Sequence, residues 1–335
     1  MKAFIKQIAL IILITIITAC SKDSVSKSET NVYAAGFEDY GLRKVAKMWK
    51  NSEAIALTDG SYYSEVVDLY IVNNDVYVLG YESNGANEVI KIWENGLEIA
   101  LTDGTNNARP TSLYVSEGDV YVTGYKNGDA TLWKNGIEVA LTDGNHFSSA
   151  NSVFVSSNDV YVAGFEEDDG FGYIAKIWKN EIPIPLTNGT TDAEATSVYV
   201  LGSDVYVSGH KDNGTVKVAT MWKNGVETAL SDGVYDTETT DIYAVGGDVY
   251  VTGFASNDII RVVKMWKNGI EVPITDGLNR SKLYSISVLD DNIYLSGYES
   301  NNENDIAKIW KDGEEIFLTD GSNYASANAV FVVKN

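Results

Sequence analysis

Apolar residues recur along this chain in short alternating runs, not at helical spacing. Val alternates with Tyr or Phe in stretches such as "SVFV" at Ser152 and "DVYVAGF" at Asp159, and Asn, Asp, Gly and Ser interrupt each stretch. Period-two alternation bounded by turn formers predicts strands. A full unit reads "SVFV", a turn, "DVYVAGF", a loop, "AKIWKN", and a last run ending in "LTDG" or a near copy. That makes four strands per unit. The first two have the apolar content of strands enclosed on both faces. The third and fourth are joined by Asn-Gly at Asn95-Gly96, Asn135-Gly136, Asn224-Gly225 and Asn268-Gly269. Both residues tolerate positive φ, so this pair favours a two-residue type I′ hairpin.

The unit repeats. Its tryptophan stands at Trp49, Trp93, Trp133, Trp178, Trp222, Trp266 and Trp310, at spacings of 44, 40, 45, 44, 44 and 44. A period near 44 with four strands per repeat predicts an all-β, seven-bladed β-propeller with four antiparallel strands per blade. The two ends of the pattern are broken in complementary ways. "NVYAAGF" at Asn31 opens on a second strand, and "NAVFVVKN" at the C-terminus stops after a first strand. Together they make one blade, so the ring is expected to close when the C-terminal strand pairs with the N-terminal blade, leaving no open edge there.

Proline placement orders the strands within a blade. Pro183, Pro185 and Pro273 fall in fourth strands. Proline has no N–H to donate, so nothing pairs beyond that strand. The fourth strand is thus expected at the outer rim and the first along the central channel. Glu98, Glu138, Glu227, Glu271 and Glu315 should face Trp across the last hairpin, and Lys47, Lys91, Lys176, Lys264 and Lys308 stand two residues before Trp. Diagonal Lys–Glu pairs repeated around a ring read as structural.

Charge narrows the partners. The chain has 25 Lys+Arg against 47 Asp+Glu, a net charge of -22. Such a surface repels phosphate backbones and anionic lipid, so nucleic-acid binding is not expected. Residues 1–19 are a different kind of text. Lys2 and Lys6 precede the apolar run Ile8 to Ile17, which is too short for a membrane span of about 20 residues and reads as a signal peptide. Ile17-Thr18-Ala19-Cys20 resembles a bacterial lipobox, which implies cleavage before Cys20 and lipidation of that cysteine with palmitate-class chains. Cys20 is the sole cysteine, so no disulfide framework exists. Residues 20–30 then form the lipidated cysteine and a polar, flexible tether, and residues 31–335 the propeller.

Catalytic sets are thin. The chain holds two histidines, His146 and His210, and lacks GxSxG, HExxH and GxxxxGK[ST] motifs. The "TDG" aspartates Asp59, Asp103, Asp143, Asp232, Asp276 and Asp320 suggest a carboxylate ring, but the equivalent residue in the fourth unit is Asn188. An Asx-type bond to the loop backbone explains both residue types. The acidic run Glu166-Glu167-Asp168-Asp169-Gly170 lacks the spacing of a calcium loop. Neither a metal, a cofactor nor a catalytic residue is assigned.

Loop tips are the remaining candidates. Three residues after each "TDG" glycine stand Tyr63, Asn107, Phe147, Asp192, Asp236, Arg280 and Tyr324, each followed by a small residue. A constrained position beside a variable one suggests a turn that presents a side chain to a partner. The third repeat has the short loop "KNGD" and the fourth the long "EEDDGFGY". The notch between them predicts a ligand-binding rim of Asn107, Arg109, His146, Phe147, Asp168 and Phe171, with Tyr63, Arg280 and Tyr324 elsewhere on the same face.

Over residues 31–335 the repeats resemble those of uncharacterised seven-bladed propeller lipoproteins of Bacteroidetes-type bacteria. The Gly-His and Trp-Asp marks of WD40 repeats are missing. The "SKDS" that follows Cys20 looks like the Lys/Asp-rich tether signal of surface-exported lipoproteins in that group. The resemblance implies an outer-membrane lipoprotein of the cell envelope, periplasmic or surface-exposed and held by its lipid alone. The function expected is a monomeric binding or interaction module that engages a glycan or an envelope protein through one face. The alternatives are a carbohydrate-active hydrolase or lyase with its site at the channel mouth, or a ligand-free structural spacer.

Overall fold

The computed structural model describes residues 29–334 apart from 42, 171 and 257–259. The expected signal segment, Cys20 and the tether up to residue 28 lie outside the described residues, as does Phe171. The described strands form seven four-stranded antiparallel sheets, arranged as the blades of a propeller. Blades 2 to 7 are each continuous in sequence. Their inner strands are Ser64–Val72, Ala108–Ser116, Ser148–Ser156, Ala193–Leu201, Asp236–Val245 and Ser281–Leu289. Blade 1 is composite and runs Ala325–Lys334, Thr30–Asp39, Lys44–Lys50, Glu53–Ala56. Val332 pairs with Val32 and Val330 with Ala34, so the ring closes through the C-terminal strand as its broken pattern predicts.

The outer strands are exposed along their whole length in blades 1, 2, 4 and 5, which places them at the rim. Pro183 faces Trp178 and Pro185 faces Lys176. Pro273, expected within a fourth strand, lies one residue beyond the outer strand Ile270–Val272.

The core sits between blades. Each of seven apolar clusters contains one tryptophan packed against the preceding blade, as Trp222 packs on Tyr161, Ala163 and Ile177. All seven tryptophans are at most 1% exposed. The repeated Trp is therefore the adhesive between neighbouring sheets, which explains why it survives in each unit.

One backbone device recurs in every blade. The inner strand carries a bulge opposite the glycine of the "VYVxG" run, for example between Pro110 and Ser112 opposite Gly124. The extra residue turns two consecutive side chains toward the channel. The bulge brings the Arg109 carbonyl against Gly124, where a Cβ would lie 2.9 Å from the Arg109 carbonyl carbon and closer still to its oxygen. Only glycine fits.

The turns follow their chemistry. Asn95 and Gly96 have φ of 50° and 82°, the type I′ signature. Asn95 also accepts from Val76 N–H at 3.0 Å, clamping the hairpin to the second strand. In the "TDG" loops, Asp103 Oδ1 accepts from Thr105 N–H at 2.9 Å and Asn188 Oδ1 from Thr190 N–H at 3.2 Å. These aspartates serve as acceptors, a role that needs oxygen and not charge. Lys91 lies between Glu82 and Glu98, and Lys308 between Glu299 and Glu315, so the repeated Lys–Glu positions are ion pairs within a blade.

Candidate ligand-binding cup

The channel contains a cup, and the inner strands build it in layers. Below it lies a collar of rings contributed by Tyr70, Tyr114, Phe154, Tyr199, Tyr243 and Phe331. Consecutive ring centroids lie 4.6–5.1 Å apart. Blade 7 interrupts the collar with Ser287, which accepts from Val332 N–H at 3.3 Å. Desolvation by their neighbours raises the phenol pKa values of Tyr70, Tyr199 and Tyr243, keeping the collar neutral.

Above the collar is a polar belt. Asp68 Oδ2 accepts from Leu113 N–H of the next blade at 2.7 Å and from Ser112 at 3.2 Å, and its Oδ1 accepts from Leu69 N–H at 2.8 Å. Asp241 is held in the same way by Ile242 N–H at 2.8 Å, Ser197 at 2.9 Å and Ile286 N–H at 3.0 Å. Ser152 takes this role in blade 4, accepting from Val198 N–H at 3.2 Å. The belt therefore stitches blade to blade. Burial pushes Asp68 up to about 7 and raises Asp241 as well, opposed in both by these donors. Both carboxylates already spend their oxygens on the ring, so the belt is structural rather than a free acid–base pair.

Two cavities stack on this belt and share Val67, Thr111, Thr196, Thr240, Tyr284 and Asn328. The deeper has a volume of about 90 Å³ and touches Asp68 and Asp241. The outer has about 340 Å³ and reaches Glu65 and Thr239. The bulge makes this cup possible, because Val67, Thr111, Thr196, Thr240, Tyr284 and Asn328 occupy the extra position in their strands. A third cavity, of about 300 Å³, runs between blades 7 and 1 and is lined by Lys44, Tyr284, Tyr298, Asp305 and Tyr324. Tyr284 borders both the cup and this groove.

The wall above the belt is unequal around the ring. The residue after the bulge glycine is aromatic in six blades, including Tyr81, Phe254 and Tyr298, and is His210 in blade 5. His210 is 3% exposed and lies 3.8 Å from Glu194. Burial, helped by the Lys217 charge, lowers its pKa to about 4, so it stands neutral. Its Nδ1 has no hydrogen-bond partner among the described residues.

The rim residues expected from sequence are placed as follows. The loops between blades and the hairpins joining second to third strands share one face, as Ser83 N–H donating to the Tyr63 carbonyl at 2.9 Å shows. The short turn of blade 3 lies between Asn107 and Phe147. Asn127 N–H donates to the Asn107 carbonyl at 3.2 Å, and a Cβ on Gly128 would touch the Phe147 ring at 3.4 Å. Phe147 is 44% exposed and leans on Phe165 at 5.8 Å. Arg109 is occupied: its Nε and Nη2 donate to Glu88 at 2.5 and 2.6 Å. Asp168 folds its own hairpin, accepting from Gly170 and Gly172 N–H at 2.9 Å. His146 approaches Asp169 at 3.3 Å. Asn107 accepts from Glu88 N–H at 3.2 Å, and Asp192 and Asp236 cap their third strands in the same manner. Arg280 pairs with Asp305 at 2.7 Å. Tyr63 donates to Glu65 at 3.1 Å, and Tyr324 lines the groove between blades 7 and 1.

The cup residues were visible in sequence only as strand residues. Their signal was the break in alternation at "VVDLY", "PTSLY" and "TTDIY", where polar side chains stand at a position that pure alternation would make apolar.

No protein-family model matches the chain, and no curated protein matches it. Among solved structures it is similar to TolB from Acinetobacter baumannii at 10% identity and a TM-score of 0.45, over 70% of this chain and 63% of that one. It is also similar to a prolyl endopeptidase structure at 12% identity and a TM-score of 0.53, over 91% of this chain and 51% of that one, so it spans about half that protein's length. The likeness to the endopeptidase is one of fold alone.

Proposed function

We propose that the chain is an extracytoplasmic binding module, anchored to the outer membrane through a lipidated Cys20, that takes a glycan into the cup. The cup is the observation that carries this reading. Its outer cavity of about 340 Å³ falls at the small end of the range for ligand sites, about 300–1,000 Å³. It is lined by Tyr284, by Asn328, and by Thr111, Thr196 and Thr240, whose hydroxyls bond within the ring and keep acceptor lone pairs for a ligand. Hydroxyl and amide groups around an aromatic surface suit a polyhydroxylated ring, which presents both donors and apolar C–H faces. The belt carboxylates are committed to backbone donors, so binding is favoured over hydrolysis.

A glycan array followed by calorimetry tests the reading. Val67→Trp fills the cup from a residue that lines both stacked cavities. It should abolish binding while the melting temperature stays near wild type. A Val67→Trp protein that still binds every hit with wild-type affinity would refute the cup. For the anchor, Cys20→Ser should lose incorporation of a palmitate analogue, and equal labelling of both proteins would refute lipidation.

A further inference from the structure

The charges around the cup do not balance evenly. Three of the nearby carboxylates already have cations of their own. Glu65 pairs with Lys44 at 3.2 Å, Glu238 with Lys217 at 3.3 Å and Asp305 with Arg280 at 2.7 Å. Two cations remain over on one side of the ring, Lys282 of blade 7 and Arg261 of blade 6. Neither has an ion-pair partner among the described residues. Both lie against the same ring: the Arg261 guanidinium carbon is 4.2 Å from the Phe254 centroid and Lys282 Nζ is 5.1 Å from it. Lys282 Nζ also sits 4.4 Å from the centroid of Tyr284, a residue that lines the cup. Arg261 Nε is buried with no hydrogen-bond partner among the described residues.

Two cations on one ring, neither in an ion pair among the described residues and one with a buried unused Nε donor, are costly to assemble; Glu238 and Glu65 act on Lys282 only without direct contact, and Tyr298 supplies Arg261 with a neutral partner. Like charges repel, and a buried donor without an acceptor keeps its full desolvation cost. In a chain of net charge -22, acidic partners for them were abundant. Aromatic faces offset part of the cost through cation–π attraction. An anion held between them would offset the rest, accepting from both side chains at once. Burial first, and then Arg261, lower Lys282 to about 8, with Glu238 and Glu65 acting the other way, which agrees with a cation waiting for a counter-ion.

We infer that Lys282 and Arg261 form an anion subsite at the edge of the cup, and that the ligand is an acidic sugar of the uronate class whose carboxylate docks there. The inference rests on the cup reading for the sugar ring and on the Phe254 cation pair for the carboxylate. Tyr284 joins the two, since it lines the cup and its ring carries Lys282.

The test is calorimetry on the purified protein with glucuronate and galacturonate oligosaccharides, their neutral glucose and galactose counterparts, and sodium sulfate, at matched ionic strength. Uronates should bind at least tenfold more tightly than the neutral sugars, and Lys282→Met should remove that preference. Arg261→Gln is the second variant, so that a misfolded Lys282→Met cannot decide the matter; it should weaken uronate binding in the same direction. Equal affinity for neutral and acidic sugars would overturn the inference and leave the cup standing. Uronate binding that survives Val67→Trp would overturn the cup and, with it, the assignment to a sugar seated there. Sulfate and uronate binding with equal affinity would show a general anion site and overturn the assignment to a sugar. Absence of binding by every probe would overturn the inference.

Discussion

Removing residues 327–335 should open the ring. The deleted segment is nearly all of the inner strand of the composite blade, Ala325–Lys334. Val330 and Val332 are 4% and 5% exposed, and Ala327 and Ala329 are at most 1% exposed. Burying a valine contributes about 1.5–3 kcal/mol, so the two valines alone account for about 3–6 kcal/mol. Against a total stability of about 5–15 kcal/mol for a native protein, that loss is large. Two interfaces fail together. Ala327, Val330 and Val332 belong to the cluster shared with blade 7, and Ala329, Phe331 and Val333 to the cluster shared with blade 2. The second strand, Thr30–Asp39, also loses its pairing from Thr30–Lys334 to Gly36–Ala327. Differential scanning calorimetry should show a fall of at least ~6 °C, taking about 2 °C per kcal/mol for a large domain. A synthetic peptide of residues 325–335 added in trans should recover part of it. A fall of only one or two degrees would show that the C-terminal strand does not hold the ring shut.

Two further predictions follow from single residues. Gly124→Ala should cost about 1–3 kcal/mol in urea unfolding, because the new Cβ meets the fixed Arg109 carbonyl and not a mobile side chain; a loss under 1 kcal/mol would mean that the bulge can relax. His210→Phe should flatten the acid limb of stability. With the folded pKa near 4 and an unfolded value near 6.5, the unfolded chain takes up a proton first, so the contribution of His210 to wild-type stability is complete above pH ~6.5 and declines toward pH 4 by up to about 3 kcal/mol. Asp68, raised to about 7, titrates in the opposite sense in both proteins and cancels in the difference. Parallel stability curves for the two proteins between pH 4 and 7 would contradict a buried neutral histidine.

Periodic features were legible in the sequence because each is local and is repeated. The Trp spacing set the number of blades. The prolines at Pro183 and Pro185 set the outer strand, and the broken ends at Asn31 and Ala329 set the closure. Asn188 in place of aspartate was enough to read the "TDG" ring as backbone acceptors and not as a metal site. Each of these rests on residues within one unit, where chain geometry leaves few choices. The candidate cup was not legible, because it depends on which side chains meet across blades. Arg109 reads as a free binding arginine until Glu88, 21 positions earlier, is placed beside it. Asp168 reads as a surface acid until its own hairpin turns two N–H groups onto it. Lys282 and Arg261 are unremarkable as letters. Only the packing of blade 7 on blade 6 sets both against Phe254 and leaves both without a carboxylate partner among the described residues. A repeat determines its own backbone, while charge balance around a shared channel is decided by neighbours that the period does not name.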